Sequence, residues 1–448
     1  MRARMLPGTT TRERTRRLTC RTGARLLLTS LLALTYATGN AASGAKDASG
    51  AQDASDAQDA AAAFAQCTAG LQARALADGL PPAAVTAVFD TVEQLPRAIA
   101  ADRKQPEFTQ TFATYYNKRV HEARVQRGRA LVREHRTLLQ RVERSTGIPA
   151  QYLVALWGLE TNFGSYFGSL SIPSALATLA CDARRSEFFT RELLAVLRIV
   201  ADGDLTPKEL RGSWAGAMGH MQFMPSTFVR YAVDADADGR RDLYGSIEDA
   251  MWSGANYLAS MGWQPGYRWG REVLLPEGFD YSLTGADRPQ PLSVWRAQGV
   301  TDVFDQRLPD LDLPAAVLLP TGYEGPAFVV YPNFDVIMQW NRSESYALSV
   351  GRLADRIAGA GRLAVPLPGE ELIALPTVAL KALQGNLEAL GFDPGGVDGV
   401  LGPGTRAAVR AFQVSAGLVA DGYPRPAVVK AAAEARAALA VEDTGVSG

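Results

Sequence analysis

Glu160 is the residue in this chain whose setting asks for chemistry. It lies in the stretch Pro149–Gly168, PAQYLVALWGLETNFGSYFG. Leu153, Leu156 and Trp157 recur there at the spacing of a helix's buried face, and the next place in that series is Glu160 itself. Val154, Ala155, Gly158 and Leu159 leave almost no polar side, so the helix is expected to be buried nearly all round. Pro149 suits its first turn, and Gly164, four residues beyond Glu160, suits its stop, which puts the carboxyl near the negative end of the helix dipole. Burial and dipole both raise the pKa of a carboxylic acid. An acid still protonated near neutral pH can protonate a leaving oxygen, which is what cleavage of a glycosidic bond requires. On this helix alone, a glutamate satisfied by hydrogen bonds or reaching solvent at the helix end explains the residue equally well.

Three other groups bear on a site. Between Gly212 and Ala232, GSWAGAMGHMQFMPSTFVRYA sets Ser213, Gln222 and Tyr231 beside Trp214, Phe223 and Met224. Apolar platforms mixed with neutral hydrogen-bonding groups suit a sugar-binding cleft; close helix packing on the glycines is the other reading. DADADGRRDLYG, residues 234–245, places Asp234, Asp236, Asp238 and Asp242 at loop positions one, three, five and nine, with Gly239 at six. This is the front of an EF-hand loop, and a structural Ca2+ or similar cation is expected there rather than a plain acidic turn. Gly245 stands where the bidentate glutamate belongs, leaving Glu248, Asp249 or water to compensate. Arg184 and Arg185 suit either an acidic ligand or structural ion pairs. The histidines are His121, His135 and His220 only, without metal-ligand spacing, which argues against a zinc centre or a histidine-dependent triad.

These residues need a body to hold them, and 448 residues with 47% hydrophobic content are enough for a main domain and a smaller one. A formal net charge of -1 gives no electrostatic case for nucleic acid. Residues 1–42 have the layout of a signal peptide, an Arg-rich start followed by LLLTSLLALTYATG, cut near Ala41 or Ala42, so a periplasmic protein without a membrane span is expected. Cys20 precedes the apolar run and is lost with it. Cys67 and Cys181 then remain, as a bridge or as two buried thiols. Residues 43–63, built on a repeat rich in Ala, Asp and Ser, read as a disordered linker. Residues 64–361 form a mainly α-helical domain in which AAVLLP and PAFVVY make a small β-hairpin. The basic run Arg124, Arg127, Arg129 and Arg133 reads as a solvated face. Trp340, Asn341 and Tyr346 cluster where the chain returns from the hairpin to helix.

ALWGLETNFG, RRSEFF with ELL, GSWAGAMGHMQFMPS, the Asp-rich loop with DLY, GANYLASMGW and QWNRSESYALSV, in this order from about Phe64 to Gly361, resemble the membrane-bound lytic transglycosylase B family, in its soluble exported type. The resemblance implies a lysozyme-like fold and cleavage between N-acetylmuramic acid and N-acetylglucosamine in peptidoglycan. It puts the family's catalytic acid on Glu160, its sugar contacts on Ser213, Gln222, Tyr257, Asn341 and Tyr346, and its cation loop on Asp234, Asp236 and Asp238. It also implies a non-hydrolytic route to 1,6-anhydro ends with one glutamate as acid and then base, needing no cofactor. A hydrolase usually needs two carboxylates roughly 5–9.5 Å apart, and neither the Glu160 segment nor the glycine-rich stretch offers a second.

Residues 362–378 read as a linker and 379–438 as a small three-helix module, with 439–448 as a tail. Asp398-Gly399, Gly402, Thr405-Arg406, Phe412-Gln413, Gly417-Leu418 and Asp421-Gly422 resemble the peptidoglycan-binding domain. A tethered module of this kind raises the local concentration of glycan strands at the active site; docking to other cell-wall enzymes is the competing role. A hydrolytic muramidase and a catalytically silent wall-binding scaffold are the alternative readings of the whole chain.

Overall fold

The computed structural model describes residues 44–103, 110–369 and 375–445; the signal peptide expected over 1–42 lies outside them. The chain divides into two units, Met1–Gln58 and Asp59–Gly448. The expected disordered linker is instead helical, since one helix covers Gly44–Ala77. Alanine, the strongest helix former, outweighs the polar half of the repeat. In the second unit this helix is fastened by a disulfide between Cys67 and Cys181, with Cα atoms 6.0 Å apart. Among the described residues no helix is long and apolar enough to cross a membrane.

Helices dominate the body. The central one, Ala150–Thr161, is buried at every position from Tyr152 to Leu159. It packs between the helices Glu122–Glu134 and Glu344–Ile357. The second of these is itself buried from Tyr346 to Ile357, and its charged end is tied down. Arg356 donates to the Val120 carbonyl at 3.0 Å and to Glu122 at 2.6 Å. Asp355 accepts from Arg268 at 2.9 Å and from the Trp269 indole at 3.2 Å. Two arginines of the basic run are not a solvated face: Arg129 donates to the Arg356 carbonyl, and Arg124 to the Arg119 carbonyl and to Asn162.

The expected hairpin, Pro314–Leu318 with Ala327–Val330, is the centre of a larger sheet. Its order is Gln290–Pro291, Pro314–Leu318, Ala327–Val330, Gly270–Leu274, Thr301–Asp302, all antiparallel. Side chains alternate across it. Ala316, Leu318, Phe328 and Val330 join the helical core, while Val317, Ala327 and Val329 join a second core around Trp295 and Phe279. Covering both faces is why these strands read as unbroken apolar runs rather than alternating ones.

The C-terminal module has helices Thr377–Ala389, Pro403–Ser415 and Pro426–Gly445, the last running through most of the expected tail. One unit occurs twice in it. Gln384 donates to Asp398 and accepts from Gly399 N–H, and Gln413 donates to Asp421 and accepts from Gly422 N–H. The module is docked rather than loosely tethered. The Arg425 guanidinium lies 4.5 Å over the Tyr323 ring, Asp421 accepts from Tyr323 N–H at 3.1 Å, and Arg406 donates to the Pro320 carbonyl at 3.3 Å. Burying these charges against backbone and ring makes the module part of the same body.

Candidate active site

The central helix stops one residue after Glu160, and three successive residues, Asn162, Phe163 and Gly164, take positive φ. This left-handed run turns the chain away and leaves the carboxyl at the open end of a buried helix, itself half-buried. Gly164 is required there, because a Cβ would stand 2.4 Å from the His220 ring. His220 holds the turn from the other side. Its Nδ1 accepts from the Trp157 indole at 2.9 Å and its carbonyl from Thr161 at 3.0 Å. Burial pushes the His220 imidazole down to about 4, so it is the neutral acceptor that Trp157 needs.

The Glu160 carboxyl meets one neutral donor, the Tyr346 hydroxyl, which donates to Oε1, and the nearby Trp340 indole also favours its ionised form. Burial pushes Glu160 up to about 7, against the opposing pull of Tyr346, the Arg119 cation and Trp340. The carboxyl is thus an acid near neutral pH that can also be ionised there, the condition for one group to give and then take a proton. Trp340 and Arg119 were not among the site residues read from the chain. Trp340 carried a signal, standing in the same return as Asn341 and Tyr346, whereas Arg119 reaches the site only once the helix Phe112–Arg119 is in place.

Beside the carboxyl runs an aromatic floor. The Trp340 ring lies 5.1 Å from Tyr257 and 5.4 Å from Phe223, and Tyr257 lies 4.9 Å from Tyr231. Tyr257 donates to the Gln339 carbonyl. Ser213 and Gln222 belong to one tightly folded loop. Ser213 Oγ accepts from Ala217 N–H at 3.0 Å, and Gln222 donates to the Phe167 and Gly219 carbonyls at 3.2 and 3.1 Å. Asn341 ends the helix Pro332–Trp340. Arg184 and Arg185 both pair with the buried Asp102, at 3.4 and 3.0 Å, and Arg185 also stacks on Phe189. A partner so far away in sequence is invisible to local spacing.

The Asp-rich loop brings together Asp234, Asp236 and Asp249, with ligand atoms within 4.8 Å of one another. Asp238 and Asp242 are not in this group. Asp238 accepts from Arg240 N–H, and Asp242 from Tyr244 and Gly245 N–H. Gly245, at the twelfth position, offers no ligand, and the third carboxylate comes from Asp249 of the following helix. Asp234 Oδ1 is buried without a hydrogen-bond partner among the described residues. An orphaned carboxylate oxygen aimed into an acidic cluster fits a hard cation.

Residues 63–355 match the family described as Transglycosylase SLT domain, and residues 378–431 the family described as Putative peptidoglycan binding domain. The chain is 33% identical over 250 residues to membrane-bound lytic murein transglycosylase B of Escherichia coli (strain K12), covering 54% of this chain and 66% of that protein, just under two thirds of its length. SltB3 from Pseudomonas aeruginosa, solved with NAG-anhNAM-pentapeptide, superposes with a TM-score of 0.79 at 43% identity over 82% of this chain and 99% of that one. The Escherichia coli lytic transglycosylase Slt35, solved with calcium, gives a TM-score of 0.57 at 29% identity over 65% of this chain and 92% of that one. The fold is accordingly mainly helical and lysozyme-like, with a peptidoglycan-binding domain behind it.

Proposed function

The chain belongs to the transglycosylase SLT domain family and joins it to a peptidoglycan binding domain, and from this premise we propose that it is an exported peptidoglycan lytic transglycosylase. Its substrate is a glycan strand carrying peptide stems, the class named in the SltB3 complexes. The observation that carries the reading is the carboxyl of Glu160, at the end of a buried helix, pushed up to about 7 and bonded by the Tyr346 hydroxyl. Among the described residues no carboxylate is one of the groups that set its acidity.

Glu160 gives its proton to the oxygen linking N-acetylmuramic acid to N-acetylglucosamine as the C1–O bond breaks. The substrate's 2-acetamido group stabilises the positive charge at C1. Glu160, now ionised and stabilised by Tyr346 and Trp340, takes the proton of the C6 hydroxyl as that oxygen bonds C1. The product is a 1,6-anhydro end and no water is consumed. Tyr257 and Trp340 supply a ring surface for the sugars, with Ser213, Gln222 and Asn341 as polar contacts. Asp234, Asp236 and Asp249 would hold Ca2+, which would neutralise the cluster and brace the loop that leads through Leu243 to His220, whose N–H donates to the Leu243 carbonyl at 2.8 Å.

Mass spectrometry of muropeptides released from purified sacculi tests this. Products ending in 1,6-anhydro-N-acetylmuramic acid, absent with Glu160→Gln, are expected. Reducing ends, heavier by one water, would mean a hydrolase, and release that survives Glu160→Gln would remove Glu160 from the chemistry.

A further inference from the structure

The helix Phe112–Arg119 ends beside the turn that follows Glu160, and one side chain ties the two together. Arg124 donates to the Lys118 and Arg119 carbonyls at 3.4 and 2.7 Å and, through its other terminal nitrogen, to Asn162 Oδ1 at 3.2 Å. Those carbonyls are the last of their helix and have no partner within it. Asn162 is the left-handed residue two places after Glu160, and its amide also donates to Ser165 Oγ at 3.0 Å. A planar guanidinium can hold both ends at once, which the single ammonium of a lysine does less well.

Nothing local asks for an arginine at this place. Arg124 sits in the first turn of the helix Glu122–Glu134, where the His121 side chain already caps its N–H and the helix dipole disfavours a cation. It is half-buried, and its Nε is buried without a hydrogen-bond partner. Burial and the neighbouring Arg119 hold its guanidinium below the usual arginine range, and among the described residues no carboxylate opposes them. Burying a cation beside a like charge is unfavourable. What the fold gains in return is the tie.

Arg119 moves with that tie. Its guanidinium lies 5.3 Å over the ring of Tyr115, one turn back on the same helix, so it follows the helix end. It is the cation that acts on the Glu160 carboxyl, and it acts on the Tyr346 hydroxyl as well. The other groups acting on that carboxyl are neutral, Tyr346 and Trp340. The helices Glu122–Glu134, Arg136–Thr146 and Ile247–Ser260, which also pack on the Glu160 helix, add no charged group to these.

We propose that Arg124 is a positioning residue for the Glu160 chemistry: by tying the end of the Arg119 helix to the turn after Glu160, it fixes where the cation stands relative to the carboxyl. The proposal rests on the transglycosylase reading above. A cation set near Glu160, without pairing with it, steadies the carboxylate between its two proton transfers and leaves it free to take the second proton.

The test follows anhydro-product formation from purified sacculi by the full-length protein across pH. Arg124→Met removes the donors and keeps the bulk, and Asn162→Gly deletes the acceptor while tolerating the left-handed backbone. Each is expected to lower kcat about tenfold with KM within about twofold. Each should also move the basic limb of kcat/KM to higher pH, since a carboxyl farther from a cation ionises later. The double variant should do no more than either alone, because both cut one bridge. Additive losses, a basic limb that stays or moves downward, or a rise in KM at unchanged kcat would overturn the proposal. Should Arg124→Met fail to fold, the pH profile of Asn162→Gly decides by the same criteria. Absence of 1,6-anhydro ends from the wild type would instead sink the transglycosylase reading itself.

Discussion

One helix, Glu344–Ile357, meets two glutamates and treats them in opposite ways. At its start Tyr346 gives Glu160 a neutral hydroxyl. Two turns later Arg352 gives Glu272 a guanidinium at 3.8 Å, and the Ala364 and Val365 N–H groups complete the shell of that carboxylate at 2.8 and 3.0 Å. Glu272 is only 4% exposed and has a cation and two N–H groups around its carboxyl. Glu160 is buried enough to resist ionising; its bonded partner is a neutral hydroxyl, and the Arg119 cation acts on it without an ion pair among the described residues. The difference shows that burial alone does not decide how a carboxyl is held; what matters is whether the fold also supplies a paired counter-charge.

Removing the Glu160 carboxyl should have the largest effect. Glu160→Gln is expected to lower anhydro-product formation about a thousandfold or more, the scale of acid–base catalysis, with binding to sacculi retained in a pull-down. The same variant carries a pH signature. Glu160 titrates at about 7 in the fold against an ordinary 4.5, so its ionisation costs stability. Its contribution is intact below about 4.5 and lost as pH rises to about 7. Glu160→Gln should therefore gain on the wild type across that window by roughly 1–3 kcal/mol, read from urea unfolding at pH 4.5 and 8. A gap that does not change with pH would contradict the raised acidity constant.

The opposite result is expected at the other glutamate. Glu272→Ala leaves the Ala364 and Val365 N–H groups without an acceptor, with Asp355 as the remaining ion partner of Arg352 at 3.5 Å, and should cost about 2–3 kcal/mol of stability, while the folded fraction makes the same product. Tyr346→Phe lies between the two. It removes a bond that favours ionised Glu160, so the basic limb of the kcat/KM profile should move to higher pH while the rate at the optimum falls about tenfold. A limb that moves downward would mean that Tyr346 does not bond the ionised carboxyl. Smallest is the effect of the cation. Chelation should lower Tm by a few degrees, roughly 1–2 kcal/mol, without changing the product, and Asp249→Asn should abolish that response where Asp238→Asn leaves it.

What was legible in the chain follows the same divide between local and distant partners. The burial of the Glu160 helix could be read because its composition and period are contiguous. The front of the acidic loop was equally local, but Asp249 joins it only after the chain folds back into the next helix. The hairpin was visible in AAVLLP and AFVVY, whereas the strands beside it, of two to five residues, carry no alternation of their own. Arg184 and Arg185 suited an acidic ligand or ion pairs, and the ion partner, Asp102, lies some eighty positions away. The docking of Arg425 on Tyr323 joins residues about a hundred positions apart, and no spacing rule reaches that far.

The paired glutamine clamps of the C-terminal module carry a consequence for its ancestry. Gln384 and Gln413 each hold the Asp-Gly turn that follows their own helix, with the same donor and acceptor roles. A helix that brings its own turn-lock is a self-sufficient building block. Copying it once yields a module whose halves already fit, because the second copy arrives with its polar demands met and asks its neighbour only for an apolar face. Duplication of a single helix-and-turn segment would be enough to account for the paired design, and the two turns now serve different neighbours: the second, through Asp421, also accepts from Tyr323 N–H of the body.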